Sequence, residues 1–379
     1  MMPYAEIYAG ILSELEAENR LRKIPPHRRD RKLTDLCTND YMGIARRANE
    51  WRQEFSHRFP DIAMSASASR LLASEQEIFY SLEAYLEEKY KKPTILFNSG
   101  YHANVGLVTS LNVSGTLWLA DKLIHASVID GLRMSHAEFL RWNHNDISHL
   151  RKILEREHNR HDRIIIVCES VYSMDGDIAP LKEIAALKDE FDNVMIYVDE
   201  AHAIGVFGHE GLGMCVDSGI LEKTDILVGT LGKACGSSGA FSVTSDIMKA
   251  YITNTARSLI FSTAIAPVNA AWSLMMLEKL ASMDGERANL KKISDIFRKG
   301  IEHITGTPNP SRSAIVPLMT GNASRAASVS ENLEAHGILA LPIRRPTVPP
   351  GGERIRFSLN ATLTENQIKD IISIISATY

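Results

Sequence analysis

The residues of this chain that are best suited to chemistry follow short apolar segments, which are residues 94–97, 164–167, 194–198 and 226–228. The polar groups that come after these segments include the carboxylates of Glu169 and Asp199, the imidazole of His202 and the amine of Lys233. Proteins use carboxylates, imidazoles and amines for proton transfer and for nucleophilic attack. If the apolar segments are strands of one sheet, these groups lie in one cleft.

An α/β fold with a mainly parallel sheet would bring these groups together. The segments are almost wholly apolar, which is typical of strands that are covered on both faces. Helical periodicity occurs between them, since Ile78, Leu82 and Leu86 fall on one helical face. Strands that alternate with helices indicate a parallel sheet, whose ligands bind beyond the carboxyl ends of the strands. Taken singly, each polar residue also has an ordinary structural explanation, such as a helix cap or a solvated turn.

The pattern along the chain predicts three parts. Residues 1–45 form an N-terminal segment with an amphipathic helix over residues 5–22. Residues 46–275 form a large domain, which contains the apolar segments. Residues 276–379, in which a charged helical stretch leads to shorter strands, form a smaller C-terminal α/β domain.

Composition excludes several functional classes. The chain has 379 residues and a formal net charge of −4, so it offers no electrostatic basis for binding nucleic acid or an anionic membrane. Its N-terminus lacks the pattern of a signal peptide, and no apolar run approaches the roughly 18 residues of a membrane span. The basic segment 25–32 is interpreted as a solvated loop, with a docking patch for an acidic carrier protein as the alternative. The cysteines have no CxxC spacing and predict a reducing cytoplasm, with neither a disulfide framework nor a metal site; they are Cys37, Cys168, Cys215 and Cys235.

Three motif-like features do not carry the chemistry that they suggest. Residues 199–202 spell the helicase motif DEAH, but no GxxxxGK[ST] phosphate loop accompanies them, because Ala234 follows the only Gly-Lys pair. Residues 208–213 are rich in glycine but lack the GxGxxG order of a dinucleotide site. A group of histidines lies among polar residues and is interpreted as solvated surface rather than as a metal site; they are His144, His149, His158 and His161.

Taken together, the polar segments resemble the motifs of the α-oxoamine synthases, a branch of the fold-type I enzymes that use pyridoxal 5′-phosphate (PLP). The resemblance covers nearly the whole chain, and the motifs occur in the family's order. They are residues 39–43 (NDYMG), 98–104 (NSGYHAN), 169–180 (ESVYSMDGDIAP), 199–205 (DEAHAIG), 229–234 (GTLGKA), 261–263 (FST), 346–349 (PTVP) and 354–356 (RIR). The resemblance implies a fold-type I PLP-dependent transferase, with a large domain around a mainly parallel sheet and a smaller C-terminal α/β domain.

The resemblance also implies roles around the cofactor. Lys233 matches the lysine that binds PLP as a Schiff base, and Asp199 matches the carboxylate that keeps the pyridine nitrogen protonated. His202 matches the contact to the phenolic oxygen, and His125 matches the imidazole stacked on the ring. These four are the predicted catalytic residues. The other predicted cofactor-binding residues are Ser99, Gly100 and Tyr101 at a helix N-terminus suited to phosphate, Ser173, Thr230, and the pair Ser262 and Thr263 that would reach the neighbouring subunit.

The predicted substrate-binding residues follow from the same resemblance. Arg356 resembles the arginine that binds the carboxylate of the amino acid, a task that suits a guanidinium group, and Asn39 would assist it. Glu169 resembles a residue on the substrate side, while Arg22 and Arg344 match positions near the far carboxylate of the acyl substrate. The family's sites form between two chains, so the resemblance implies a homodimer.

The activity that the resemblance implies is a decarboxylative condensation of L-alanine with a pimeloyl thioester, carried by CoA or by acyl-carrier protein, in biotin biosynthesis. Residues 65–76 and 236–240 depart from the family pattern, and the first of these segments lies near the family's acyl channel. The departure affects the choice of acyl substrate more than the cofactor chemistry. The alternatives are an α-oxoamine synthase that uses glycine or another acyl thioester, a PLP aminotransferase, and a PLP-fold binding protein that has lost catalysis.

Overall fold

The computed structural model describes residues 4–22, 24, 33–74 and 76–379. The basic segment 25–32 lies outside the described residues, so its interpretation as a solvated loop stays a prediction. No helix within the described ranges is both long and apolar enough to cross a membrane.

Short strands and helices alternate along most of the chain. The strands are β1 (Thr34–Asp35), β2 (Thr94–Phe97), β3 (Thr116–Asp121), β4 (Glu138–Trp142), β5 (Arg163–Glu169), β6 (Val194–Asp199), β7 (Ile226–Thr230), β8 (Ala240–Val243), β9 (Ile315–Met319), β10 (Ile338–Leu339), β11 (Pro342–Ile343) and β12 (Arg354–Ser358). The α-helices are α1 (Tyr4–Ala17), α2 (Arg52–Arg58), α3 (Glu77–Tyr90), α4 (Gly100–Leu111), α5 (Ala126–Met134), α6 (Ile147–Glu157), α7 (Leu181–Glu190), α8 (Met214–Asp217), α9 (Asp246–Thr255), α10 (Arg257–Ile260), α11 (Pro267–Ala281), α12 (Asp284–Thr305), α13 (Ala323–Ala335) and α14 (Glu365–Thr378).

The chain forms two compact units. The larger unit consists of Asn39–Ser173 and Asp177–Ala288. The smaller unit consists of Asn289–Tyr379, the short segment Met174–Gly176 and the described residues of Met1–Thr38. The N-terminal residues thus group with the C-terminal part of the chain. The three predicted domains, with boundaries after residues 45 and 275, stay a prediction about how the chain is organised.

The larger unit is built on one mixed sheet. In its described residues, seven strands lie in the order β2-β8-β7-β6-β5-β3-β4. The strands from β3 to β7 pair in parallel, whereas β8 pairs antiparallel with both β7 and β2. Since β2 and β7 are each antiparallel to β8, β2 has the same direction as the parallel strands. The mainly parallel sheet and the four predicted strands are confirmed, while β3, β4 and β8 were not predicted.

Apolar packing fixes the position of the strand ends. Every residue of β5 from Ile164 onward is buried, so this central strand is covered on both faces. Ile165 and Val167 of β5 belong to one buried cluster with Leu107 of α4 and Val128 of α5. Burial of each such side chain contributes about 1.5–3 kcal/mol relative to exposure. This packing holds helices α4 and α5 against the sheet and thereby fixes the positions of their N-termini.

In the smaller unit, the described residues form two short sheets. Strand β12 pairs antiparallel with β9 and with β11, and β1 pairs in parallel with β10. Phe297 of α12 and Phe357 of β12 pack edge to face with their ring centroids 5.1 Å apart. Helix α1 is shorter than the predicted 5–22 and buries none of its residues.

Candidate active site

A cavity of about 390 Å³ lies where the parallel strands of the larger unit end. Its walls come from residues at or just after the ends of β2, β3, β5, β6 and β7, together with Asn39. The cavity brings together most of the predicted site residues, which are Asn39, Ser99, Gly100, Tyr101, His125, Glu169, Asp199, His202, Thr230 and Lys233. These residues are far apart in sequence, so the topology of the sheet assembles them.

A tight turn after β7 positions Lys233. The N–H of Gly236 donates to the carbonyl of Lys233 at 2.9 Å, and the N–H of Ser237 donates to the carbonyl of Leu231 at 2.9 Å. Gly236 has a φ of 59°, and a Cβ there would lie 2.6 Å from Cγ2 of Ile44. Only glycine fits this turn without strain. The turn directs the Lys233 side chain to the wall of the cavity.

The amine of Lys233 lies at one end of a chain of hydrogen bonds. Nζ of Lys233 is 2.8 Å from Nε2 of His202, and Nδ1 of His202 is 2.6 Å from the hydroxyl of Tyr41. The hydroxyl of Tyr41 donates to Oδ1 of Asn39 at 3.0 Å. Because Tyr41 has a single hydroxyl proton, the network assigns the Nδ1 proton to His202 and leaves Nε2 as an acceptor. Nε2 of His202 therefore accepts a hydrogen bond from Nζ of Lys233.

The carboxylate of Asp199 is held from both sides. Asp199 ends β6 and is only 4% exposed. Its Oδ1 accepts from the N–H of Ala201 at 2.9 Å, and its Oδ2 accepts from Nδ2 of Asn104 at 2.8 Å. These two donors fix the rotation of the carboxylate at the cavity wall.

His125 is the N-cap of helix α5. Its Nδ1 accepts from the N–H of Ser127 at 3.3 Å and lies 2.7 Å from the hydroxyl oxygen of Ser127. Burial lowers the pKa of His125 from its ordinary value, and the nearby carboxylate of Asp199 offsets this effect only in part. At neutral pH the imidazole is therefore uncharged, and it forms part of the cavity wall.

Glu169 is a buried carboxyl group beside Asp199. The two residues are register partners on β5 and β6, and Glu169 is 2% exposed. Its Oε2 accepts from the N–H of Ser173 at 3.2 Å, while its Oε1 has no hydrogen-bond partner among the described residues. Burial, together with the charge of Asp199, raises the pKa of Glu169 well above its usual value. An orphaned carboxyl oxygen in the cavity wall indicates that a bound molecule completes this site.

The N-terminus of helix α4 fits the phosphate of PLP. Ser99 caps the helix by accepting from the N–H of His102, and the next residues, Gly100 and Tyr101, lie in the first turn. First-turn N–H groups have no acceptor within the helix, and with the helix dipole they favour an anion. A Cβ on Gly100 would lie 2.7 Å from Cγ2 of Thr230, so glycine leaves room for the Thr230 side chain beside this turn. The donors, the amine of Lys233 and the carboxylate of Asp199 match the phosphate, aldehyde and ring nitrogen of PLP.

Three predicted cofactor residues are not part of the cavity wall. Ser262 accepts from Nδ2 of Asn98 at 3.1 Å, and the same amide donates to the carbonyl of Thr263. Ser173 contacts Glu169 through its backbone. The structure thus does not bring Ser173, Ser262 or Thr263 into the cavity, and their binding of the cofactor stays a prediction.

The three predicted arginines belong to the smaller unit. Arg356 lies on β12, is 8% exposed and donates from Nη1 to Oγ of Ser358 at 2.6 Å. Arg22 donates to Oγ1 of Thr347 at 2.8 Å. Burial and the neighbouring charge of Arg22 lower the pKa of the Arg344 guanidinium, so the two side chains lie close enough to repel. A bound anion near both side chains would relieve this repulsion.

Two residues that hold the site's charged and polar groups by hydrogen bonds were not predicted. Asn104 lies in α4, one turn after Gly100, and Tyr41 lies two residues after Asn39. Both residues lie inside the motifs that carry the resemblance, so those motifs could have indicated them as site residues. Their partners, Asp199 and His202, are distant in sequence, so the contacts themselves were not visible.

His144 corrects the interpretation of the histidines as solvated surface. Its Nδ1 is 2.9 Å from Oδ1 of Asp121, its Nε2 is 2.7 Å from Oδ2 of Asp177, and the side chain is 25% exposed. It also packs edge to face on Tyr172 with ring centroids 4.4 Å apart. His144 is therefore part of an ion-paired cluster. Among the residues that the structure describes, no group of three or more His, Cys, Asp or Glu side chains has the arrangement of a metal site.

Comparison with known proteins identifies the family. The model of the aminotransferase class I and II family matches residues 31–375. A putative 8-amino-7-oxononanoate synthase from Pasteurella multocida is 42% identical over 378 residues, which cover 97% of each chain.

Solved structures agree with this assignment. A serine palmitoyltransferase from Sphingomonas wittichii has a TM-score of 0.90 at 27% identity, covering 100% of this chain and 98% of the other. A serine palmitoyltransferase variant from S. paucimobilis, described with a bound PLP–myriocin aldimine, has a TM-score of 0.90 at 26% identity, with the same coverage. The fold is that of the fold-type I PLP-dependent transferases. Its sequence, its fold and the groups around Lys233 place this chain in the α-oxoamine synthase family, whose cofactor is PLP.

Proposed function

We propose that this protein condenses L-alanine with a pimeloyl thioester and releases 8-amino-7-oxononanoate, CO₂ and the free thiol. The curated relative from Pasteurella multocida carries the name of this activity at 42% identity over nearly the full length of both chains. The observation on the structure that carries the proposal is the cavity in which the amine of Lys233, the imidazole of His202 and the carboxylate of Asp199 meet.

Bound PLP supplies an electron sink, because its protonated ring accepts the electron pair left on the substrate carbon. Asp199 maintains the charge that this sink needs, and its two hydrogen bonds keep the carboxylate in one orientation. The uncharged imidazole of His125 provides a flat apolar face. Preorganised charge of this kind is usually the largest contribution to catalysis.

Lys233 is the proposed proton carrier. Nζ of Lys233 takes the α-proton of alanine and later returns a proton to the product, a role that contributes about 10²- to 10⁴-fold in rate. His202 orients the amine for this role, because its Nε2 lies 2.8 Å away and accepts a hydrogen bond from Nζ. Tyr41 and Asn39 hold the tautomer of His202 in which Nε2 is the acceptor.

The arginines of the smaller unit are the proposed carboxylate ligands. Arg356 binds the carboxylate of alanine, and its buried position with Ser358 as a partner limits the side-chain entropy lost on binding. Arg22 and Arg344 bind the far carboxylate of the pimeloyl chain, which relieves the repulsion between the two guanidinium groups. An arginine fork pairs with a carboxylate through two parallel hydrogen bonds.

A second copy of the chain is the proposed partner in a homodimer. Large apolar side chains are exposed along the segment before α3, including Met64 at 74% and Leu72 at 80%. Phe261, 71% exposed, lies in a neighbouring segment, since Ser69 and Thr263 form a bridge. Exposed apolar side chains grouped in this way mark association surfaces. The dimer would bring Ser262 and Thr263 to the cofactor of the neighbouring subunit.

We further propose that the protein acts in the cytoplasm. The proposed carrier of the acyl group is CoA or acyl-carrier protein.

Product analysis tests the function. Purified protein loaded with PLP is given L-alanine with pimeloyl-CoA or pimeloyl-carrier protein, and the product is identified by mass spectrometry. We expect 8-amino-7-oxononanoate and one thiol released for each product molecule. Matched reactions with glycine, L-serine and other acyl thioesters test the substrate choice. A faster reaction with glycine or with a longer acyl chain would replace the proposal by another α-oxoamine synthase activity.

Two further alternatives have distinct signatures. An aminotransferase would convert the cofactor to its amine form when given an amino acid alone, without any thioester. A binding protein that has lost catalysis would release no thiol. The intact set of Lys233, Asp199, His202 and His125 around one cavity favours the condensation over both.

A further inference from the structure

A second hydrogen-bonded network runs through the cavity wall and joins Asp199 to His125. The hydroxyl of Tyr197 donates to Oδ1 of Asn104 at 2.6 Å. Nδ2 of Asn104 donates to Oδ2 of Asp199 at 2.8 Å and to Oγ of Ser127 at 2.9 Å. Oγ of Ser127 lies 2.7 Å from Nδ1 of His125. Asn104, Ser127, Tyr197 and Asp199 are each less than 5% exposed, so water does not compete for the contacts among these four residues.

The donors and acceptors of this network leave one self-consistent arrangement. The amide of Asn104 has one acceptor oxygen and two N–H groups, and all three are used. The tyrosine hydroxyl donates to Oδ1, so it fixes which side of the amide faces Asp199. Since Oγ of Ser127 already accepts from Asn104, its own proton is directed at Nδ1 of His125. The backbone N–H of Ser127 points at the same nitrogen at 3.3 Å.

We infer that Asn104 is a positioning residue that orients the carboxylate of Asp199 and, through Ser127, holds His125 in the tautomer protonated on Nε2. The inference rests on the proposed function only for the importance of Asp199 and His125 to the cofactor. It assigns to Asn104, Ser127 and Tyr197 a shared role at the site. One amide would thereby couple Asp199, the residue proposed to hold the ring nitrogen of PLP, to His125, the residue proposed to stack on the ring.

The chemistry of the site explains why an amide stands at this position. A carboxylate at position 104 could not donate to Asp199 and would add a third buried acid beside Asp199 and Glu169. An apolar side chain would leave Oδ2 of Asp199 and the Tyr197 hydroxyl without their buried partners. The lowered pKa of His125, which burial causes, keeps the imidazole uncharged so that its Nδ1 can accept.

The tautomer of His125 gives a test that needs neither substrate nor turnover. The full-length protein is labelled with ¹⁵N-histidine, and the ring nitrogens are observed by NMR with and without PLP. The signal of His125 is assigned by its loss in His125→Asn. We expect Nδ1 of His125 to have the shift of an unprotonated acceptor and Nε2 to carry the proton. A proton on Nδ1 in the wild-type protein would overturn the inference.

Matched variants separate positioning from structural support. Ser127→Ala removes the hydroxyl and should give a mixture of His125 tautomers, while Ser127→Thr retains the hydroxyl and should preserve the single tautomer. Asn104→Leu should also disturb the tautomer and weaken PLP binding about 10-fold, the loss expected for a hydrogen bond to a charged group. Asn112→Leu, at the other end of α4, removes an amide that bonds to Ser135 and Trp118 and should leave the tautomer and PLP affinity unchanged.

The outcomes decide the inference independently of the proposed function. An unchanged His125 tautomer in Ser127→Ala, with only a lower melting temperature, would show that the network supports the fold alone and overturn the inference. If Asn104→Leu does not fold, the serine pair still decides. Failure to make 8-amino-7-oxononanoate would refute the proposed function while leaving the NMR result intact.

Discussion

Replacing His144 by glutamine tests how charge is balanced at the carboxyl end of β3. The imidazole lies between Asp121, at 2.9 Å from Nδ1, and Asp177, at 2.7 Å from Nε2. Burial acts to lower the pKa of His144, but the hydrogen bonds to both carboxylates outweigh it and raise the pKa to about 10. His144 is therefore a cation at neutral pH, and it links β3 to the segment that follows Glu169.

The size of the effect follows from proton linkage. The pKa of His144 rises from the ordinary value of 6.5 to about 10. At about 1.4 kcal/mol for each tenfold change in proton affinity, this rise limits the contribution of the charged His144 to the free energy of unfolding to roughly 5 kcal/mol. The His144 side chain is 25% exposed, and solvent screening reduces the expected contribution to about 2 kcal/mol. Because the folded-state pKa is raised, this stabilisation is fully present below pH 6.5 and is lost as the pH rises through about 10.

Thermal unfolding of the wild-type protein and of His144→Gln, both loaded with PLP, measures this contribution. We expect the variant to melt at a lower temperature near pH 6.5 and the difference to shrink as the pH approaches 10. His336→Gln, which replaces an exposed histidine bonded to the carbonyl of Asn332, should melt like the wild type across the range. A difference between His144→Gln and wild type that stays constant with pH would refute the assignment of a charged His144.

Four further substitutions test the assigned roles. Arg356→Ala should raise KM for alanine at least about 10-fold and change KM for the acyl thioester little, since it removes a charge-assisted hydrogen bond; equal effects on both substrates would count against the assignment. Tyr41→Phe should lower kcat about 10-fold, because it removes the partner of His202 Nδ1, and an unchanged pH profile of kcat would contradict that reason. Arg22→Ala and Arg344→Ala should each raise KM for a pimeloyl thioester but not for an acyl thioester that ends in a methyl group. A similar rise in KM for both thioesters would exclude these arginines as ligands of the far carboxylate.

The parallel core of the sheet was predictable from local sequence. The segments within β2, β5, β6 and β7 are continuous apolar runs, and such runs are typical of strands buried on both faces. Strand β4 was missed because four of its five residues are exposed or only partly buried and show no regular alternation. Strand β8 follows a glycine- and serine-rich turn and pairs antiparallel, so its assignment depends on β2 and β7 rather than on its own sequence.

The chemical groups of the candidate site were predictable in kind, but their hydrogen-bond partners were not. Lys233, Asp199 and Glu169 stand at or just after strand ends, where an α/β sheet places its ligands. Asn104 lies inside α4, where the local sequence indicates an ordinary polar helix residue. Its contact with Asp199 could not be predicted locally, because the two residues are 95 positions apart. The local sequence around His144 indicates a surface residue, because its two partners, Asp121 and Asp177, are brought to its ring nitrogens only by the fold. Long-range polar partners of this kind have no periodicity that a sequence could display.

The most direct test of the account is the identity of the lysine that holds PLP. Treatment of the holoenzyme with borohydride makes the carbon–nitrogen link between amine and cofactor permanent, and peptide mass spectrometry then locates the modified residue. The account predicts a single pyridoxyl adduct on Lys233 and its absence in Lys233→Ala. An adduct on another lysine, or an unmodified Lys233 in protein that contains a full complement of PLP, would contradict it.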